Sequence, residues 1–489
     1  MKDWLGAQRI ARPDGIALIY EDQDWTFFKL DRLVNVLCAR LAGLGAASSS
    51  VVGVLLSNTP DYVILIHALA RLGAVLLPIN TRLTAEEIEW QVTETGCEIV
   101  ICNSKTESTA AELKSNTVRI ISVDQAQDPR VQSWWDITMT DSWRPADQDL
   151  NAVQAIIFTS GTSGKPKGVQ LTFSNHFYSA AASAYRIGVL PEDRWLCTLP
   201  LYHVGGLAII LRAALYGIAV VLQDGFNVNA VNTALDTQQI TLMSLVPTML
   251  YRLLNTRTAF PETLRLILLG GASATGDLLT RALDMGAPIA TTYGLTEAAS
   301  QVATMLPEDV AKKPGSVGKP LMFTTVKIVD EQGRLCKAGE YGEIVVISPM
   351  VMRGYLALEQ DITELHTGDV GFLDKDGDLW LINRRSDLIV SGGENVYPSE
   401  VEEVLRGHPA VADVVVVGIT DAEWGQRVAA LVVPRPDTLI TVADLMRYSR
   451  TKLAGYKQPR LIRFTDQLPL TASGKVHRAA IVEQLQNNA

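Results

Sequence analysis

Leu264-Arg-Leu-Ile-Leu-Leu-Gly-Gly-Ala272, a helix-forming stretch, and then Pro288-Ile-Ala-Thr-Thr-Tyr-Gly-Leu-Thr-Glu297 decide the fold. The apolar run Leu264–Leu269 reads as a buried strand that stops at Gly270 and Gly271. A helix of about twelve residues is expected next, and Pro288–Thr292 reads as a second buried strand. A strand–helix–strand unit crosses over right-handed, so its strands run parallel. Both following loops, 270–272 and 293–297, then lie at the carboxyl edge of the sheet, where open α/β sheets bind ligands.

The same rhythm extends outward. Ser50–Leu56, Ala74–Pro78, Glu98–Cys102, Val153–Phe158 and Ala219–Leu222 are strand-like runs, and Tyr62–Leu72 carries a helical period. The expected fold is α/β, with parallel-sheet αβα layers. Between about 320 and 385 the texture changes. Val326–Val329, Gly342–Val346 and Asp378–Ile382 are short strands between Gly and Asp turns, which predicts an antiparallel β subdomain. Beyond it a helix at Ser399–Arg406, strands at Val411–Gly418 and Val428–Val433, and further helices predict a small α+β domain. The expected division is 1–385 and 386–489.

Composition narrows the function classes. The chain has 489 residues, a net charge of -10 and no Lys/Arg run, which argues against a nucleic-acid or anionic-membrane partner. Five widely spaced cysteines without a C-x-x-C pair exclude a disulfide framework and a zinc knuckle. The amino terminus lacks the apolar core of a signal peptide, so a cytoplasmic location without integral membrane contact is expected. Self-association stays open.

The loops carry the chemistry. Thr159-Ser160-Gly161-Thr162-Ser163-Gly164-Lys165-Pro166-Lys167-Gly168 follows the strand Val153–Phe158. Its glycines free backbone N–H groups to cradle phosphate oxygens, while Lys165 and Lys167 add counter-charge. Pro166 stands where a Walker A loop needs Ser or Thr, so this is a different phosphate loop. Tyr293 offers a stacking face of adenine size, Thr296 a hydroxyl for phosphate, and Glu297 a hard oxygen ligand for Mg²⁺. Asp369, in His366-Thr-Gly-Asp369, can accept both hydroxyls of a ribose. Each residue alone also fits an ordinary core, turn or helix-start position.

Arg212 is the most informative single residue. It sits in Leu207-Ala-Ile-Ile-Leu-Arg-Ala-Ala-Leu215, and a guanidinium in so apolar a helix is costly without an anionic partner. The partner is either a structural acid or a second carboxylate on the substrate.

Together the segments resemble the acyl-adenylate-forming superfamily of acyl-CoA synthetases, adenylation domains and luciferases. The similarity runs through 159–168, Pro200-Leu-Tyr-His-Val-Gly-Gly206, Thr292–Glu297, Thr367-Gly-Asp369, Arg384–Asn395 and Thr471-Ala-Ser-Gly-Lys475, in order. The resemblance implies a large amino-terminal domain, a small mobile carboxy-terminal domain, and an ATP site between them. It assigns residues 159–168 to the ATP phosphates, Gly270, Gly271, Ala272, Thr292, Tyr293 and Gly294 to adenine, and Thr296 to the α-phosphate. Glu297 falls to Mg²⁺, Asp369 and Arg384 to ribose. Lys475 matches the lysine that bridges carboxylate and phosphate, Gly392 and Gly393 line the approach of CoA, and the hinge falls at Ser386. For His203 the similarity to acyl-CoA synthetases implies that it lines the acyl pocket or steers the thiol, and a purely structural histidine is the other reading. Within the superfamily, Gly168–His176, Asp193-Arg-Trp-Leu, 200–207 and Ser391–Pro398 resemble the ligases that join o-succinylbenzoate to CoA in menaquinone biosynthesis. ATP, Mg²⁺, CoA and that dicarboxylate are therefore expected, with a fatty-acid or aryl-acid CoA ligase as the alternative.

Overall fold

The computed structural model describes residues 3–147, 149–159, 166–272, 274, 276–356, 362–383, 388–436, 438–469 and 476–486. The chain divides into two compact units. The first comprises Met1–Thr81, Val92–Ile157 and Gly168–Asn383, and the second Arg82–Gln91, Phe158–Lys167 and Arg384–Ala489.

Two large sheets organise the first unit. In one, Val51–Val54 lies between the parallel strands Val75–Pro78 and Ile99–Cys102, and Leu76 pairs with Ala155 of the strand before the phosphate loop. These strands are buried on both faces, which is why their sequences are continuous apolar runs without alternation. The helix Pro60–Leu72 packs in the same core. Its start is fixed by Thr59, whose hydroxyl accepts from the Tyr62 N–H, and by Pro60. Its end is fixed by Gly73 at φ 72°, where a left-handed residue closes the helix.

The second sheet has thirteen strands. Its parallel part includes Ala219–Leu222, Arg194–Cys197, Leu242–Leu245 and Leu266–Leu269, and the last of these pairs with Ile289–Leu295 from Ile267↔Ile289 onward. From there the sheet continues antiparallel through Ser300–Thr304, Ser316–Pro320, Leu379–Asn383, Leu365–Leu373, Gly342–Ile347 and Thr325–Val329. The β-rich stretch expected near 320–385 thus extends the parallel sheet edge to edge. Two of its turns gather Asp374, Asp376 and Asp378 around the Lys313 ammonium at 2.8, 2.6 and 2.5 Å. A protein cation already occupies this acidic cluster.

The helices Phe173–Ile187 and Val204–Tyr216 cover the second sheet near its change of direction. Thr172 and Asn175 form a reciprocal capping box at the first. The Asn175 amide also donates to the carbonyls of Pro349 and Val351, at 2.9 and 2.8 Å. The second helix is buried from Gly206 to Ala214 and ends at Gly217, φ 70°.

In the second unit, Val411–Asp421 and Gly425–Pro434 form a long antiparallel pair, with Leu461–Phe464 parallel to the latter. Helices Pro398–Arg406, Val442–Arg450 and Arg478–Gln486 belong to the same unit. Among the described residues no helix is long and apolar enough to cross a membrane.

Candidate active site

The opening motif folds as a strand, the helix Gly276–Asp284, and the strand Ile289–Leu295. The helix is shorter than the expected dozen residues, and the second strand runs three residues past Thr292. The extension is tertiary: Thr292 to Leu295 pair with Ser300–Thr304. This hairpin is very tight. A Cβ on Gly294 would lie 1.7 Å from the Ser300 carbonyl oxygen, so only glycine fits there. Ala299 and Ser300 adopt φ of 48° and 99°, strained values for residues with a Cβ, directly after Thr296 and Glu297. On the neighbouring loop, a Cβ on Gly270 would approach Thr292 Cγ2 to 2.7 Å. The two loops therefore meet at one sheet edge.

Long-range hydrogen bonds fix the side chains. Tyr293 is 1 % exposed, and its phenol donates to Asp369 Oδ2 at 2.6 Å. The expected open stacking face is absent in this structure, because the ring is buried and its hydroxyl is directed to the carboxylate. Asp369 itself is oriented by Thr367, whose hydroxyl accepts from the Asp369 N–H at 3.1 Å. The Thr292 hydroxyl bonds to the Ala303 carbonyl and Thr304, at 2.8 and 2.9 Å. Thr296 starts a short 3₁₀ turn and is half-buried.

Glu297 is buried, and its Oε1 accepts from the Tyr355 hydroxyl at 3.0 Å. Its carbonyl accepts from the Met352 N–H at 2.8 Å. Among the described residues no Lys or Arg pairs with it. A buried carboxylate with a neutral donor and no counter-charge is chemically suited to a hard divalent cation.

Arg212 is 2 % exposed. Its Nη2 donates to Ser179 Oγ at 3.0 Å, and Ser179 in turn donates to the Ala299 carbonyl at 2.6 Å. This chain of bonds links Arg212 to the Thr296–Glu297 turn. Its Nε has no partner, and among the described residues no acid pairs with it. Burial pulls its pKa down, opposed by Tyr216. The structural-acid alternative is thereby set aside for the described residues. His203 precedes the same helix, half-buried, with its ring 4.8 Å from that of Tyr202. Nine residues separate it from Arg212, which at 1.5 Å per residue is about 13 Å along the axis.

The turn before His203 is held by Asn58, whose amide donates to Leu199 O and accepts from Leu201 N, both at 2.9 Å. Asn58, Ser179 and Tyr355 were not singled out by sequence. Each acts through a partner far along the chain, and no local pattern marks it.

Other expected residues belong to the second unit or lie outside the described residues. Thr159 and Lys167 end and begin strands and belong with the second unit. Gly392 and Gly393 also lie there, at φ 61° and 87°, and a Cβ on Gly392 would meet the Trp424 ring at 2.6 Å. Ser160, Gly161, Thr162, Ser163, Gly164, Arg384, Ser386 and Lys475 lie outside the described residues.

Comparisons with known proteins agree in direction. The AMP-binding enzyme family matches residues 7–356, and the AMP-binding enzyme C-terminal domain matches 400–475. A 2-succinylbenzoate–CoA ligase of Bacillus pumilus (strain SAFR-032) is 38% identical over 482 residues, 97% of this chain and 96% of the relative. A double mutant of o-succinylbenzoate CoA synthetase from Bacillus subtilis, solved with a product analogue, superposes with a TM-score of 0.92 at 37% identity, covering 100% and 98% of the two chains. The same Bacillus subtilis synthetase in complex with ATP and magnesium ion gives a TM-score of 0.75 at 37% identity, covering 99% of each. With motif order, sheet topology and both family matches in agreement, the chain belongs to the AMP-binding enzyme family.

Proposed function

We propose that this chain is an AMP-forming ligase that joins 2-succinylbenzoate to CoA. In the first half-reaction the succinyl carboxylate attacks the α-phosphorus of ATP, giving acyl-AMP and pyrophosphate. In the second, the CoA thiol attacks the acyl carbon, and AMP leaves with the former carboxylate oxygen.

The observation that carries the substrate reading is Arg212, a buried guanidinium with an unpartnered Nε and no acidic neighbour among the described residues. A dicarboxylate presents one carboxylate to ATP and the other to this cation. A fatty acid would leave the charge buried and unpaired, which is costly.

The first step must bring two anions together. Two unit charges 4 Å apart repel by about 4 kcal/mol at an effective dielectric of 20. Lys475 would answer this with an ammonium between carboxylate and α-phosphate, and Thr296 with a hydroxyl on the phosphate. Glu297, a buried carboxylate without counter-charge among the described residues, would hold Mg²⁺, which when bound supplies positive charge at the phosphates. Asp369 would accept the ribose hydroxyls beside Arg384, with Tyr293 fixing one of its oxygens. Backbone at 270–272 and 292–294 would shape the adenine slot, and the 159–168 loop would hold the phosphates. The nucleophile is already ionised, so no general base is needed before the thiol step, where His203 would act. Gly392 and Gly393 would line the thiol's approach.

The test is a panel of acids with ATP, Mg²⁺ and CoA, read as pyrophosphate and thioester. The expected outcome is a preference for 2-succinylbenzoate over fatty and simple aryl acids. Equal or better turnover of a fatty acid overturns the substrate assignment, and absence of AMP and thioester with every acid overturns the activity.

A further inference from the structure

We infer that one face of the helix Phe173–Ile187, carrying His176, Ser179 and Ser183, completes with Arg212 a receptor for the ring carboxylate of the substrate, and that His176 is a specificity-determining residue within it. This rests on the reading that Arg212 receives that carboxylate.

Residues 176, 179 and 183 are spaced by three and four, so they share one face of their helix. Across from them, Arg212 and Tyr216 share a face of the helix Val204–Tyr216. The helices are tied by the Arg212–Ser179 bond and by the Tyr216 hydroxyl, which donates to the Ala180 carbonyl at 2.5 Å. The capping box and the two bonds from Asn175 to the 349–351 backbone fix the register of His176, the next residue.

His176, Ser183 and Arg212 are 3 %, 0 % and 2 % exposed; His176 Nε2 and Arg212 Nε lack a hydrogen-bond partner, and the Ser183 hydroxyl lies against that of Tyr216. Buried polar atoms are paired in the large majority of cases, so an orphaned guanidinium nitrogen and an orphaned imidazole nitrogen close enough to feel its charge point to a ligand. All three groups can donate: a guanidinium N–H, an imidazole N–H and a hydroxyl. A carboxylate offers about four lone-pair sites, enough to accept from all of them. Burial and the adjacent guanidinium pull the His176 pKa down to about 3, so the ring is neutral and adds a donor without a second repelling charge. The receptor thus carries one positive charge, matching one carboxylate.

The test compares 2-succinylbenzoate with 4-oxo-4-phenylbutanoate, the same keto acid without the ring carboxylate, by ATP–pyrophosphate exchange. The readout is the ratio of their kcat/KM values. His176→Leu should lower that ratio by about 10- to 100-fold, and His176→Asn, which keeps a donor, should recover part of it. Ser183→Ala, the milder change, should lower it by about 2- to 10-fold. A purely structural histidine would depress both acids equally and leave the ratio fixed. If Arg212→Met collapses the ratio while His176→Leu and Ser183→Ala retain the wild-type value, the inference is overturned and the Arg212 reading stands. If Arg212→Met also leaves the ratio unchanged, the Arg212 reading itself fails.

Discussion

Replacing Arg212 by Met should separate stability from function. The guanidinium is held by a single described hydrogen bond, to Ser179 at 3.0 Å, with Nε unpartnered. A bond from a charged donor contributes about 1.5–3 kcal/mol, whereas burying an ion costs several kcal/mol after relaxation. Removing the charge leaves no new orphan, because the Ser179 hydroxyl still donates to the Ala299 carbonyl at 2.6 Å. Met is unbranched and refills most of the volume of the arginine stem. The ligand-free variant should therefore be neutral to more stable by about 1–2 kcal/mol. The same change removes a charge-assisted contact to the substrate, so KM for 2-succinylbenzoate should rise by about 10- to 150-fold. Urea unfolding without ligand and pyrophosphate release across acid concentrations measure the two halves. A variant destabilised by about 3 kcal/mol with unchanged KM would show that Arg212 closes a structural contact, and the reasoning would fail.

Glu297→Gln keeps the bond from Tyr355 but loses the anionic ligand, so the Mg²⁺ concentration for half-maximal adenylation should rise at least tenfold, with the maximal rate about 10²-fold lower; unchanged Mg²⁺ dependence would exclude Glu297 as the metal ligand. Lys475→Ala should slow acyl-AMP formation by about 10²–10³-fold while sparing thioester formation from supplied acyl-AMP, and equal loss in both half-reactions would make the lysine structural. His67 and His176 are buried and neutral, their pKa values pulled down by burial from 6.5 to about 4 and about 3. The unfolded chain takes up both protons below pH 6.5 and the native one does not. Their contribution is therefore complete above pH 6.5 and lost as pH falls toward 4, at about 2.7 kcal/mol per pH unit for the pair. His67→Gln should flatten that acid limb by about 1.4 kcal/mol per pH unit in urea titrations between pH 6 and 4.5; an unaltered slope would contradict the assignment.

The parallel strands were readable because burial on both faces forces an unbroken apolar run: Ala219–Leu222 appears as expected, and Val153–Phe158 gains one residue. The strand from Ile289 runs past the end its sequence suggests, because its extension to Leu295 depends on pairing with Ser300–Thr304, a non-local contact. The site divides in the same way. Glu297, Asp369 and Arg212 stand out in sequence because a charge among apolar or glycine-rich neighbours needs an explanation. Their partners do not, since the Tyr293–Asp369, Tyr355–Glu297 and Ser179–Ala299 bonds join residues 76, 58 and 120 positions apart. Tyr293 illustrates the cost: an aromatic beside a glycine suggested an open platform, and only the fold reveals a buried ring bonded to a carboxylate.

The central claim is that the acid is activated as an acyl-AMP. Supplying 2-succinylbenzoate with both oxygens of the succinyl carboxylate labelled as ¹⁸O, together with ATP, Mg²⁺ and CoA, follows the reacting atoms directly. Attack on the α-phosphorus and departure of AMP predict one ¹⁸O in the AMP phosphate, one in the thioester carbonyl, and none in pyrophosphate. Label in inorganic phosphate alongside ADP, or AMP free of label while thioester accumulates, would contradict the account.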